Sequence, residues 1–220
     1  MLAIDRVALA GRFVKLVPLD AERDAPALWE QSSGPANDKL WEYLSEGPFP
    51  DYGVFLSSLE AKASSTSAVF FAAVDQASQR AIGYLSLMRI EPVHRCLEVG
   101  NILYTPALQR TRGGTEAIYL IARYVFEDLR YRRLEWKCNA MHRGSRRAAL
   151  RYGFQFEGLF RQHMIVKGKN RDTAWFSMLD REWPQRKTNF EAWLDPANFD
   201  SDGRQLTSLS TLNGIAHEPA

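Results

Sequence analysis

The chain has 220 residues, of which 45% are hydrophobic and 25% charged, and its net charge is +2. That length suits one sizeable core with a tail, and the balanced charge makes no general case for nucleic acid or an anionic membrane as the main partner. The two cysteines, Cys96 and Cys138, stand in apolar strand-like segments outside any CxxC pair or Cys/His cluster; they read as buried reduced thiols, and no metal site is expected. The opening MLAIDRVALAGRF lacks the apolar core and cleavage site of a leader, and no stretch approaches the roughly 18 apolar residues of a membrane span. A cytoplasmic location is the resulting expectation.

RFVKLVPLD alternates apolar and polar residues up to Pro18 and predicts a first strand. DAPALWEQ and FLSSLEAKA have helical spacing, and between them LWEYLSEGPFPDYG is aromatic, proline-rich and irregular, the composition of a loop that carries substrate contacts. AVFFAAVD is a continuous apolar run, as for a strand buried on both faces. AIGYLSLMRIEP and CLEVGNILYTP predict an antiparallel hairpin turning at VHR. From Gly114 onward Ala117, Ile118, Leu120, Ile121, Tyr124, Val125 and Leu129 share one helical face, giving a helix of about four turns that ends near LRYRR. RRLEWKCN predicts a strand with Leu134, Trp136 and Cys138 on one face. GSRRAALRYGF predicts a short helix with Ser145 as N-cap and Gly153 as its stop, and LFRQHMIVKGKNRDTAWFSML a final hairpin turning at KGKN. The order is α+β, with a mixed, mostly antiparallel sheet that gains a parallel crossover around the long helix. Residues 1–184 read as one domain. Beyond Trp183 and Pro184 the periodicity fades, and 185–220 read as a partly irregular extension, with one short helix and a polar tail that is unfolded or packed on a partner.

The stretch LQRTRGGTEAIYL sets Gly113 and Gly114 where strand GNILYTP hands over to the long helix. Unpaired N–H groups and the positive end of the dipole make such a junction an anion seat, and glycines let a phosphate approach closely. A plain helix start fits the spacing equally well. Neither the GxxxxGK[ST] nor the GxGxxG pattern is present, which argues against a nucleotide hydrolase or a nicotinamide enzyme.

Three stretches together, AIGYLSLMRIEP, LEVGNILYTPALQRTRGGTEA and RRLEWKCNAMHRGSRRAALRYGFQFEGLFRQHMIVKGKNRDTAWFSML, resemble the GNAT superfamily of acetyl-CoA-dependent N-acetyltransferases, in particular its ribosomal-protein N-terminal acetyltransferase branch. The resemblance covers about residues 10–184. It implies the GNAT fold, acetyl-CoA as cosubstrate and a pyrophosphate seat of the form Q/R-x-x-G-x-G/A. In this chain the register gives Gln109, Arg110, Thr111, Arg112, Gly113 and Gly114, followed by Thr115. Arg112 replaces the first glycine and would offer phosphate a charge-assisted contact. The pantetheine arm would pair with the backbone from Ile102 through Leu103 to Tyr104, and Asn139 and His142 would contact the cofactor.

For catalysis the resemblance points to Glu98 and Ser145. Glu98 stands among Leu97, Val99 and Ile102, so partial desolvation would raise its pKa toward that of a useful base; its other reading is a structural strand carboxylate paired with an arginine such as Arg89. Many family members use a tyrosine to protonate the leaving thiolate, but that position is Ala149 here. The ribosomal branch uses the Ser of an N-x-x-S pattern, which Ser145 matches, with His142 in place of the Asn. The acceptor site is expected in the aromatic loop, at Trp41, Tyr43, Phe49 and Tyr52, and in the final hairpin.

Between residues 109 and 151 eleven Lys/Arg stand against four acids, an excess that suits attraction of a cofactor with three phosphate groups or ordinary solvated faces; no RNA-binding aromatic signature accompanies it. Two functions stay open: acetyl transfer to a primary amine, on a protein N-terminus or a small molecule, and a non-catalytic acyl-CoA-binding or RNA/ribosome-associated module that retains the fold. No membrane partner is expected, nucleic acid is disfavoured, and the last strands and tail leave room for a homodimer.

Overall fold

A computed structural model describes residues 4–215. One sheet runs in the order β1-β2-β3-β4-β5-β6-β8-β7. Its strands are β1 (Leu9–Ala10), β2 (Val14–Pro18), β3 (Ala68–Asp75), β4 (Ala81–Glu91), β5 (Cys96–Tyr104), β6 (Arg133–Asn139), β7 (Gln155–Val166) and β8 (Lys169–Leu179). All neighbouring pairs are antiparallel except β5 with β6, which are parallel across the crossover. Helices α1 (Ala21–Ser32) and α2 (Tyr52–Ala63) pack on one face, and α3 (Arg112–Arg123), α4 (Arg143–Arg151), α5 (Trp183–Leu194) and α6 (Leu209–Leu212) on the other. The α+β class expected from the sequence is the one observed.

The apolar run of β3 serves both layers. Val69, Phe71 and Ala73 enter the α3 side of the core while Ala68, Phe70, Ala72 and Val74 enter the α1–α2 side, as the two-residue period of a strand requires. The final hairpin turns where KGKN placed it: Val166 faces Lys169, and Lys167 and Gly168 take φ of 50° and 73°, the left-handed pair of a tight primed turn. On β7, at the end of the sheet, Phe156, Leu159, Phe160 and Ile165 are exposed.

Helix α3 starts at Arg112, with the Thr111 hydroxyl capping the Gly114 N–H at 3.1 Å. Both glycines are buried. A Cβ on Gly113 would lie 2.8 Å from the Val14 Cγ1 and one on Gly114 2.7 Å from the Leu108 carbonyl oxygen, so the first turn closes on β2 and on the preceding turn only because neither has a side chain. One turn on, the buried Glu116 carboxylate accepts the N–H groups of Arg12 (2.7 Å), Phe13 (2.7 Å) and Val14 (2.9 Å). This residue carried no signal in the sequence; it ties the start of the sheet to the helix that begins the cleft.

The tail departs from expectation. Residues 183–215 are folded and pack on α3 and α4, and residues 216–220 lie outside the described residues. Trp183, Phe190 and Trp193 are buried in the core at a spacing that puts them on one helical face. Polar anchors complete the seal. Tyr119 Oη donates to Glu191 (2.8 Å), and Asn213 donates to the Arg151 carbonyl (2.9 Å) while its own oxygen accepts from Asn189 (2.9 Å). The segment's apolar residues are too sparse to announce this packing without the groove they fill.

Replacing Glu116 with Ala would leave three buried N–H groups without an acceptor. The expected cost is about 3 kcal/mol, which thermal unfolding should report as a fall in Tm of roughly 6–12 °C.

Candidate active site

Strands β5 and β6 share only three residue pairs, Cys96 with Arg133, Leu97 with Leu134 and Glu98 with Glu135. Beyond Glu98 β5 continues to Tyr104 and β6 to Asn139 without pairing, so the strands part and one edge of β5 faces a cleft. Its other edge stays paired with β4 as far as Tyr104, around an irregularity where Asn101 takes φ of 48°. A cavity of about 220 Å³ opens at the fork. Its walls come from Glu98–Ile102 on β5, Trp136–Asn139 on β6, His142 and Ser145 at the start of α4, Tyr43, and Arg171 on β8.

Glu98 sits at the vertex, 5% exposed. Its Oε2 is 3.0 Å from Arg89 Nε and 3.2 Å from Lys137 Nζ, so the structural pairing with Arg89 is present along with a second cation that the sequence did not suggest. Burial pushes the Glu98 carboxyl above its ordinary pKa, against the pull of Lys137 and Arg89 in the other direction. Arg89 reaches the site from a bulge of β4, at φ of 50°. Lys137 is nearly buried, 2.7 Å from Glu135 and with its ammonium 3.7 Å from the centre of the Trp175 ring. The alternation of RRLEWKCN did place Glu135 and Lys137 opposite Leu134, Trp136 and Cys138, but that outer face reads as solvent until β5 brings a carboxylate to it.

Ser145 is not the N-cap of α4. His142 holds that position, and the Ser145 hydroxyl turns inward to accept the Trp136 Nε1–H at 3.0 Å. The Cys138 thiol lies beside it, pushed up in pKa by burial and pulled down by its hydrogen bond to Ser145. His142 stacks on Tyr43 with ring centroids 4.3 Å apart, and burial lowers its pKa against the opposing charge of Glu42. Asn139 also lines the cavity, with its side-chain oxygen accepting the Met141 N–H.

Of the four aromatic side chains expected at the acceptor site only Tyr43 lines the cavity, joined by Leu40, Leu44 and Ser45 of the same loop. Trp41 is 1% exposed, its indole N–H donating to the Ser32 carbonyl, and Phe49 packs against it; both serve the core. Tyr52 sits on the surface against Trp29. Along β5 Ile102 lines the cavity, whereas the Leu103 side chain is buried on the α1–α2 side and the Tyr104 hydroxyl donates to the Gly114 carbonyl.

The glycine loop also differs in detail from its sequence reading. Gln109 donates to the Tyr104 carbonyl, Arg110 is exposed in the left-handed region, and Thr115 is buried and accepts from Arg151 Nη1. The Arg112 guanidinium lies 3.9 Å from the Phe199 ring centre, on the C-terminal extension. Of this stretch, the N–H groups of Arg112 and Gly113 meet no acceptor among the described residues and stand at the positive end of α3. The local excess of arginine is partly structural. Arg133 pairs with Glu135 and Glu157, and Arg151 lies over Trp193.

The family description of an acetyltransferase (GNAT) domain matches residues 14–155. The fold is shared with a GCN5-related N-acetyltransferase from Brucella melitensis, 44% identical, with a TM-score of 0.93 and 96% of each chain covered. A GNAT-family protein from Chromobacterium violaceum is 40% identical at a TM-score of 0.77, covering 82% of this chain and 90% of that one. Over 107 residues the chain is 32% identical to the "Putative ribosomal N-acetyltransferase YdaF" of Bacillus subtilis, a match that spans 48% of this chain and 57% of that relative's length.

The electrostatics of the vertex can be tested directly. Because Lys137 favours the ionised carboxylate, Lys137→Met should raise the Glu98 pKa further. An infrared pH titration of the carboxyl band, assigned by its loss in Glu98→Gln, checks the direction of the shift.

Proposed function

The chain belongs to the GNAT family of acetyltransferases, and from that premise we propose that it transfers the acetyl group of acetyl-CoA to a primary amine by direct attack in a ternary complex, with Glu98 accepting the amine's proton. The observation that carries this reading is the fork: a buried, raised-pKa carboxylate stands where one strand edge loses its partner. The residues present suit the coenzyme. The open edge of β5 from Val99 to Tyr104 offers unpaired backbone groups to an amide-bearing arm, and the N–H groups of Arg112 and Gly113 suit phosphate. When bound, acetyl-CoA supplies an activated acetyl group as a thioester.

An amine attacks only when neutral, so a base must take its proton, directly or through one water. Glu98 answers that need from within the cavity, and Asn101, whose Oδ1 is buried without a hydrogen-bond partner among the described residues, provides a further acceptor in the same wall. Ser145 is suited to the leaving thiolate. The Trp136 N–H occupies one lone pair of its oxygen, and the hydroxyl proton, engaged with the Cys138 sulfur at rest, would turn to the incoming thiolate. His142, stacked on Tyr43 and disfavoured as a cation by burial, shapes the wall in this account and takes no part in the proton transfer.

Thiol release from acetyl-CoA with a panel of primary amines tests the reaction. Coenzyme binding without turnover of any amine would leave only a binding module. Glu98→Gln is expected to lower kcat/KM by roughly 10²–10⁴-fold while the coenzyme Kd, read by calorimetry, stays near that of the unaltered protein. In Ser145→Ala the fall should appear in kcat with little change in KM, by roughly 10–100-fold.

A further inference from the structure

Resting on the acetyltransferase reading of the cleft, we infer that the acceptor amine carries an anionic group of its own, a carboxylate or phosphate close to the amine, and that Arg171 receives it. Three cationic side chains line the cavity, Arg89, Lys137 and Arg171, against the single carboxylate of Glu98. Two of the cations are accounted for. Arg89 pairs with Glu98, and Lys137 with both Glu98 and Glu135.

Arg171 is the exception. It is half-buried, and its Nε donates to the Thr173 hydroxyl at 3.2 Å. Among the described residues no carboxylate lies within ion-pair distance of it, and its terminal nitrogens meet no hydrogen-bond acceptor. The acid whose charge reaches Arg171 is Glu98, and it is already paired with Arg89 and Lys137. Asp172, next in the chain, accepts from the Gln162 N–H and from Asn170. Burial works against the charge of Arg171 more than the nearby Cys138 and Glu98 support it, with Arg89 adding repulsion, so a guanidinium without a direct anionic partner is held there at a cost. A ligand that brings an anion relieves that cost, and a guanidinium with two free terminal nitrogens matches a carboxylate or phosphate in two parallel hydrogen bonds.

The same charge pattern selects against other amines. A polyamine would add further positive charge to a wall whose cations already outnumber its carboxylates, and an alkylamine with no anionic group would leave Arg171 as it stands. The structure therefore separates acceptors that loop composition alone treated alike.

Matched pairs provide the test: 4-aminobutyrate against butylamine, and a short peptide beginning Ser-Glu against one beginning Ser-Gln, with spermidine as the cationic control. In at least one pair the anionic member should show a kcat/KM about tenfold or more above its neutral partner, as expected for a charge-assisted contact; the pair that responds identifies the source of the anion. Arg171→Gln should bring that ratio close to one, and Arg171→Lys should retain part of it. Butylamine or spermidine matching the anionic amines, or a ratio unchanged in Arg171→Gln, would overturn the inference. Should no amine be turned over, equilibrium dialysis of the same pairs against coenzyme-loaded protein separates the two ideas: a preference for the anionic members that Arg171→Gln removes upholds the inference while the catalytic reading fails, and no preference overturns it.

Discussion

Everything in the site follows from one interruption of hydrogen bonding, the parting of β5 from β6 after Glu98. Backbone groups on a sheet edge demand partners, and buried ones demand them most. Here the chain leaves such an edge open in its middle rather than at its rim, between two strands that are each paired along their far sides, β5 with bulges. The parallel crossover permits this: the strands are joined through α3 and not by a tight turn, so they can separate at one end while staying locked at the other. A carboxylate at the vertex is then buried by the paired half and reachable from the open half.

The charges around that vertex are arranged on the same principle. Burial in the fork pushes the Glu98 carboxyl up in pKa; two cations restrain that shift without abolishing it. Glu135 in turn neutralises Lys137, and Arg133 links Glu135 to Glu157 on β7. The chain of alternating sign starts inside the cleft and ends at the surface. Arg171 stands outside it, which is why we assign its partner to the ligand.

Helix α3 is held from both ends of the sequence. Its second turn is pinned by Glu116 to the backbone at Arg12–Val14, and its first residue, Arg112, lies on Phe199 of the extension. The segment that would hold phosphate is thus fixed by elements nearly the whole chain apart. Packing, more than ligand approach, requires Gly113 and Gly114 to be glycine, since any Cβ there would strike Val14 or the Leu108 carbonyl.

Periodicity along the sequence determined the elements, the α+β class and the hairpins, because the core faces of β3, β4 and α3 are written in local alternation that needs no knowledge of neighbours. It also singled out Glu98 and Ser145, by spacing within a family pattern. What it could not weigh were contacts between residues far apart in the chain. Trp41 looked like a loop aromatic and is core; Lys137 looked like a solvent-facing strand residue and is inside the cleft; the aromatic residues of the tail looked too scattered to fold and fill the groove over α3 and α4. Each of these turns on burial and on the sign of the nearest charge, quantities that exist only once β5, β6 and the extension have been brought together, so the sequence determined the elements and the family pattern and the tertiary structure decided which side chains surround the cleft.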